Sequence, residues 1–362
     1  MSDGEAHAFG RGEPFTIGLE EEVLLVDADS FELAHTADRI LPRIDLPEGR
    51  ADHEAFLAQI ELRSEPRGSI SEAAAQLEEG RALAREAGAT LLAAGVHPDA
   101  RFGDVRLVRS ERYRRVEDQM RGLIRRTPEC ALHVHIGVPD TAAAVAALNG
   151  LRDALPLLHG LGASSPFWFG LDSGMASSRA AVIRAYPGRG VPPALNDWDH
   201  YLETLDAIRA GGGPSDKTMV WWDARPQPRL GTVELREIDV QSNLDAAAGI
   251  AALARALALR AVDSPLERPA PDHALHWSSF RAARDGLGAD ILHRGRLRPL
   301  REAARELLGD LRGEDPALEG IERILADGGG ADRQRAALAR GGMPGLLSFL
   351  VGETARARSS RR

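Results

Sequence analysis

The polar positions along this chain are as informative as the apolar ones. Apolar runs bounded by turn residues predict strands over residues 15–26, 58–64, 132–138, 218–223 and 232–239. Residues two apart on a strand share a face, so several of these strands carry chemistry on one side. Glu20 and Glu22 form one such pair, Glu61 and Arg63 a second, His133 and His135 a third, Glu234 and Arg236 a fourth. Strict alternation puts Glu21 opposite Glu20 and Glu22, and puts Leu235 and Glu237 opposite Glu234 and Arg236. Helix signals fall between and after the strands. Ser71 is read as the cap of a helix ending near Ala87 before Gly88, and Thr141 opens an Ala-rich helix toward Gly160. Asn196 caps a helix stopping at Gly211, Asn243 caps one ending near Asp263, and helices dominate from there to the end.

Strands that do not alternate regularly with helices favour an α+β fold over a doubly wound one. The expected architecture is a largely antiparallel sheet with one polar, acid-lined face and one apolar face covered by helices. A single catalytic domain is expected over 12–352, helical from about 264, with 1–11 and 353–362 as flexible tails. No internal repeat breaks the 362 residues into units.

A formal net charge of −9 argues against a general nucleic-acid binder, whose affinity rests on neutralising phosphates. The most apolar helical stretch, 244–262, carries Arg255 and Arg260 and reads as a packed helix instead of a membrane span. The polar start has no signal-peptide core, and Cys130 as the sole cysteine gives no intrachain disulfide, so the default location is the cytoplasm. Lys217 is the only lysine, which excludes mechanisms that need several.

Oxygen donors clustered as in G-L-E-E-E suit Mg²⁺ or Mn²⁺, although an exposed edge strand would also accommodate them. The pair Glu61 and Arg63, with Glu54 seven residues upstream, reads by itself as a salt-bridge ladder. Two imidazoles at H-x-H have metal-ligand spacing, which raises a zinc hydrolase as the rival. That rival is disfavoured by the missing βα repeat and the missing lysines. An acid beside a guanidinium, as in Glu234 and Arg236, can divide labour between holding metal and holding a carboxylate or phosphate. Arg179, after S-S-P-F-W-F-G-L-D-S-G-M-A-S-S, is another candidate anion clamp, while its aromatic neighbours read as packing. The stretch G-G-G-P-S-D-K-T is no P-loop: Asp216 stands where a glycine is needed and a strand is expected to follow.

The ordered set G-L-E-E-E, Q-I-E-L, L-H-V-H-I-G, W-D-A-R-P and T-V-E-L-R-E-I-D-V resembles glutamate–cysteine ligase family 2, closest to its bacterial carboxylate–amine ligase branch. The resemblance covers roughly 14–263. It implies a glutamine-synthetase-like fold, a curved antiparallel sheet with helices packed on its convex face, and ATP bound without a P-loop. It implies metal ligands at Glu20, Glu22, Glu54, Glu61, His133 and Glu234, with His135 beside His133. It implies Arg236 and Arg179 as the residues that meet ATP and the acyl phosphate. The implied activity activates a carboxylate, the γ-carboxylate of glutamate by family expectation, as an acyl phosphate and couples it to an amine, with ATP and Mg²⁺ (or Mn²⁺). Small carboxylate and amine substrates are the expected partners, with a homodimer as the default assembly. A non-catalytic nucleotide or amino-acid binding protein on the same fold is the further alternative.

Overall fold

The computed structural model describes residues 7–358. Its first half runs β1 (Ile17–Val26), α1 (Ala37–Ile40), β2 (Ala51–His53), β3 (Gln59–Arg63), α2 (Ile70–Glu86), β4 (Thr90–Leu92), α3 (Glu111–Met120), β5 (Ala131–Gly137) and α4 (Thr141–Gly162). There follow β6 (Phe167–Trp168), β7 (Leu171–Asp172), α5 (Ser178–Ile183), α6 (Trp198–Ala210), β8 (Ala224–Gln227), β9 (Thr232–Asp239) and α7 (Leu244–Asp263). The last part comprises α8 (Asp272–Asp285), β10 (Asp290–His293), β11 (Arg296–Pro299), α9 (Leu300–Asp310), α10 (Glu319–Asp327) and α11 (Gly330–Thr354).

Seven strands pair in the order β2-β3-β1-β5-β9-β8, with β4 added along the end of β1, and every pairing is antiparallel. The fold is therefore α+β, as the pattern predicts. Period-two alternation sends Leu19, Val23, Leu62, Val134, Ile136 and Leu235 to one face, where all are buried. Helices α2, α4 and α7 pack on that face. Small residues let them come close: a Cβ on Gly150 of α4 would stand 2.3 Å from the Cβ of Ala261 on α7. Each fully buried Leu, Ile or Val contributes about 1.5–3 kcal/mol, so this layer is the main source of stability.

Register decides what gathers on the other face. Glu20 lies opposite both Arg63 and His133, Glu22 opposite Glu61, and Glu234 opposite both His135 and Arg225. Simple alternation fails at one place. Val134 faces Leu235 but Leu132 faces Ile238, so β9 carries one extra residue in a bulge. Leu235 and Ile238 both enter the core, and Arg236 and Glu237 between them break the period. Glu237 is not left among apolar side chains: its carboxylate meets Arg184 at 3.4 Å and His159 of α4 at 3.5 Å.

Other differences from the sequence reading also have local causes. Residues 218–223 are not a strand: Asp216 caps a single 3₁₀ turn over Lys217–Met219. The carbonyls of Thr218 and Val220 then accept hydrogen bonds from Arg225 at 2.8 and 3.0 Å. Helix α2 is capped by Ser69 instead of Ser71, and α6 by Asp197 instead of Asn196; Asn243 caps α7 as expected. The C-terminal third is interrupted by the β10–β11 hairpin, whose turn residues Arg294 and Gly295 both have positive φ. The expected tails also shorten. Ala8 and Gly10 donate to the carbonyls of Pro228 and Val138, and the Arg358 amide donates to Glu78. The outer parts of both expected tails, 1–6 and 359–362, lie outside the described residues. Among the described residues no helix is long and apolar enough to cross a membrane.

Candidate functional site

The face away from the helices gathers Glu20 and Glu22 from β1, Glu61 and Arg63 from β3, His133 and His135 from β5, and Glu234 and Arg236 from β9. Glu54, just after β2, joins them. Oxygen and nitrogen atoms within 4.8 Å of one another define three trios: Glu20 with Glu61 and His133, Glu20 with His135 and Glu234, and Glu22 with Glu54 and Glu61. Glu20 and Glu61 are each shared by two trios, so the groups interlock. The structure thus brings together all the acids that the sequence singles out, with both histidines.

Distances inside the cluster exceed those of good hydrogen bonds. His133 Nδ1 is 3.4 Å from Glu20 Oε2, and its Nε2 is 3.9 Å from Glu22 Oε1. His135 Nε2 is 3.6 Å from Glu20 Oε2 and 3.8 Å from Glu234 Oε1. The ring of His135 is oriented from its other side, where Nδ1 meets Thr232 Oγ1 at 2.9 Å. Guanidinium groups hold the rim: Arg63 reaches Glu61 and lies 3.6 Å from Glu20, while Arg236 and Arg225 both bond Glu234, the latter at 2.7 Å.

The charge is unevenly compensated. Burial raises the Glu22 carboxyl, and the neighbouring Glu54 raises it further, to about 8. Burial likewise lifts Glu54, and lifts Glu61 well above the usual range, where the charges of Glu20 and Glu54 add to it. At the other end burial also acts on Glu20 and Glu234. There the imidazoles hold Glu20 well below the usual range, and Arg225 and Arg236 do the same for Glu234. Burial, with Arg236 nearby, lowers His133 to about 4. His135 is likewise buried, but Glu20 and Glu234 outweigh that and raise it. One half of the site is thus ion-paired, and the other holds three carboxyls with too little positive charge.

Arg179 lies differently from a clamp open to a ligand. It sits in the first turn of α5, almost fully buried, after the Ser177 cap. It donates to the carbonyls of Glu237 and Arg236 at 3.0 and 3.3 Å and lies 3.8 Å from Asp239. Asp239 in turn accepts from the Ser164 amide and from the Ser165 and Ser177 hydroxyls. Arg179 therefore fastens the bulged part of β9, on which Arg236 stands.

Several neighbours escape the sequence reading. Arg225 sits inside W-D-A-R-P, and pairing with a β9 acid was the missing signal. Arg189 lies on a loop with no periodic pattern. Tyr113, on α3, is buried beside Glu54, and no local motif marks it.

Comparison with known proteins places this geometry in context. A family model described as glutamate-cysteine ligase family 2 (GCS2) matches residues 16–353. The protein of Rubrobacter xylanophilus named "Putative glutamate--cysteine ligase 2-3" is 36% identical over 362 residues, covering 96% of this chain and 99% of its own. One of Ruegeria pomeroyi named "Putative glutamate--cysteine ligase 2" is 34% identical, covering 90% and 91%. Among solved structures, the glutamate–cysteine ligase of Francisella tularensis, in complex with AMP, superposes with a TM-score of 0.68 at 14% identity, covering 95% of this chain and 90% of that one. The bifunctional glutathione synthetase of Pasteurella multocida gives 0.64 at 15% identity, covering 94% and 52%.

Proposed function

The chain belongs to glutamate-cysteine ligase family 2, and from that premise we propose that it is an ATP- and Mg²⁺-dependent carboxylate–amine ligase whose acid is glutamate, activated at the γ-carboxylate. Family and fold support the coarser statement, a carboxylate–amine ligase of the glutamate–cysteine ligase kind. The observation that carries the finer reading is the interlocked acid cluster. Three buried carboxyls without enough counter-charge are costly unless something cationic joins them. Their hard oxygen donors fit Mg²⁺ or Mn²⁺.

Glu20, Glu22, Glu54, Glu61, His133 and Glu234 would hold the divalent cations. Bound there, the cations would supply charge neutralisation for the phosphates. The residues of the chain then have two tasks, positioning and charge neutralisation, because phosphoryl transfer asks for little else. One oxygen of the acid bonds the γ-phosphorus as ADP departs; the amine next attacks the acyl carbon and phosphate leaves. Arg236 presents a planar fork beside Glu234 for the moving phosphoryl group or the acid. Its own charge is secured, since Glu234 and Glu22 outweigh its burial and raise its pKa. Arg179 keeps Arg236 in place through the β9 carbonyls and acts as a positioning residue.

A zinc hydrolase is less well supported, because the two imidazoles fall in different trios and every trio contains two or three carboxylates. The test is incubation of the pure protein with ATP, Mg²⁺, glutamate and a panel of amines, cysteine included. Phosphate release matched by an amide of the expected mass is the predicted result. Nucleotide binding without turnover on any pair would contradict it and favour a binding protein, while hydrolysis without ATP and with bound zinc would favour the hydrolase.

A further inference from the structure

Beyond Arg236 and Arg179, a third guanidinium, that of Arg189, feels the charges of both and has two nitrogens without a hydrogen-bond partner among the described residues. Arg189 lies in the turn Pro187-Gly188-Arg189-Gly190, whose two glycines have φ of 75° and 113°, values that suit glycine far better than other residues. The turn is fixed to the sheet. Asp223 Oδ1 accepts from the Gly190 amide at 3.1 Å, the Gly190 carbonyl accepts from the Asp223 amide at 2.9 Å, and the Arg236 amide donates to the Asp223 carbonyl at 2.7 Å. Gly190 pairs with Trp222 as an extra strand segment, so Arg189 stands about two strand spacings, roughly 10 Å, from β9. Two arginine side chains can close that gap from both sides.

The Arg189 guanidinium lies over the Trp221 ring, 5.5 Å from its centre, a contact that helps to hold it in place. Its Nε and Nη1 are buried and have no hydrogen-bond partner among the described residues, and neither do Nε of Arg236 and Nε of Arg179. Buried donors left unmade are costly, more so on charged groups. Burial, with the charges of Arg236 and Arg179 nearby, also lowers Arg189 to about 10. An anion seated between Arg189 and Arg236 would satisfy their free donors and relieve the repulsion together.

We propose that Arg189 and Arg236 flank an anion subsite that takes the second, unreacted carboxylate of the acid, making Arg189 the residue that selects a dicarboxylic amino acid over a monocarboxylic one. This rests on the ligase reading above. The acid cluster is suited to cations and phosphates, so the reacting carboxylate belongs between that cluster and Arg236. The free carboxylate of the same molecule then needs a cation farther along, on the side of β9 toward β8, and Arg189 supplies it. The bidentate geometry of carboxylate and guanidinium suits this role.

The test uses Arg189→Met and Arg189→Lys with two acids, glutamate and 4-aminobutyrate, which keeps the γ-carboxylate and lacks the other. In Arg189→Met the KM for glutamate should rise by about tenfold or more, while that for ATP changes by less than about twofold. The preference for glutamate over 4-aminobutyrate should largely vanish, and Arg189→Lys should restore part of it. An unchanged preference would overturn the proposal, and so would a KM rise confined to ATP, which would assign Arg189 to phosphate. Should Arg189→Met fail to fold in a thermal melt, Arg189→Lys alone gives the same split between the two acids. Calorimetric titration of glutamate into wild type and variants, with a non-hydrolysable ATP analogue and Mg²⁺ but no amine, separates this idea from the ligase reading. Glutamate binding lost in the variant supports the subsite even where no amide forms; equal binding in both overturns it even where the ligase reaction is confirmed.

Discussion

Glu20, Glu21 and Glu22 are consecutive on β1, yet the middle one lives in a different world from its neighbours. Glu21 points to the helix-backed face, where Arg81 of α2 grips it with two parallel bonds of 2.8 and 2.6 Å. Arg81 is satisfied in turn by the carbonyls of Ser242 and Gln241 at 2.9 and 2.7 Å. That pair ties β1, α2 and the entry to α7 into one body. Glu22, one residue on, accepts the Ala131 amide at 2.7 Å and otherwise faces Glu54, Glu61 and the ring of His133, which is 3.9 Å away. The contrast separates two uses of buried charge: a complete pair, satisfied within the chain, and an incomplete set that needs a ligand from outside.

The comparison can be broken most directly at Arg81. Arg81→Met leaves Glu21 buried and uncompensated, and should cost about 3–5 kcal/mol in a denaturant melt. A loss below about 1 kcal/mol would show that the pair is not the structural tie described. On the opposite face Glu61→Gln should do the reverse: apparent Mg²⁺ affinity should fall by about tenfold or more, measured as the Mg²⁺ dependence of phosphate release. Its melting temperature without metal should stay level or rise, because a like-charge neighbour has been removed. A large loss of stability with normal Mg²⁺ dependence would instead mark Glu61 as a structural partner of Arg63.

The same contrast predicts a pH dependence. Glu22, at about 8, and Glu54 and Glu61, also raised, bind more protons in the folded than in the unfolded chain. Stability without metal should therefore fall as pH rises from 6.5 to 8, and level off above the folded values. His133, at about 4, is neutral in the fold but partly charged in the unfolded chain near pH 6.5, so it offsets part of the fall at the low end, whereas the raised His135 acts in the same direction as the acids. Melts in metal-free buffer across that range should show the fall, and Glu22→Gln should flatten it. The smallest effect belongs to exposed pairs. Breaking Arg115–Glu111, 3.2 Å apart on the surface of α3, should change stability by less than about 0.5 kcal/mol.

Much of this site was legible because strand period and register are simple. The pairs Glu20/Glu22 and His133/His135 could be assigned to one face without knowing any neighbour, and Thr232–Asp239 was bounded correctly as a strand. What local pattern could not give was the bulge at Arg236 and Glu237, since it arises from the fit of β9 against β5. Arg179 was recognisable as important, but its work on the β9 carbonyls depends on how α5 meets the sheet. Residues 218–223 looked like a strand because they are apolar, and lost that form to Asp216 and Arg225, which bind the backbone from outside the segment. Glu54 belongs to a loop, where the family resemblance and not the local pattern marked it, and Arg189, also in a loop, carried no mark at all.

The central claim is that the acidic face is an incomplete set of charges completed by a divalent cation. Thermal melts of wild type and Glu22→Gln at pH 8, each with and without saturating Mg²⁺, test it directly. Saturation at about 100 times Kd should add roughly 2.7 kcal/mol to the wild type. Glu22→Gln should melt higher than wild type without metal and gain clearly less from Mg²⁺. Equal responses to Mg²⁺ in the two proteins, with Glu22→Gln no more stable than wild type in its absence, would contradict the account.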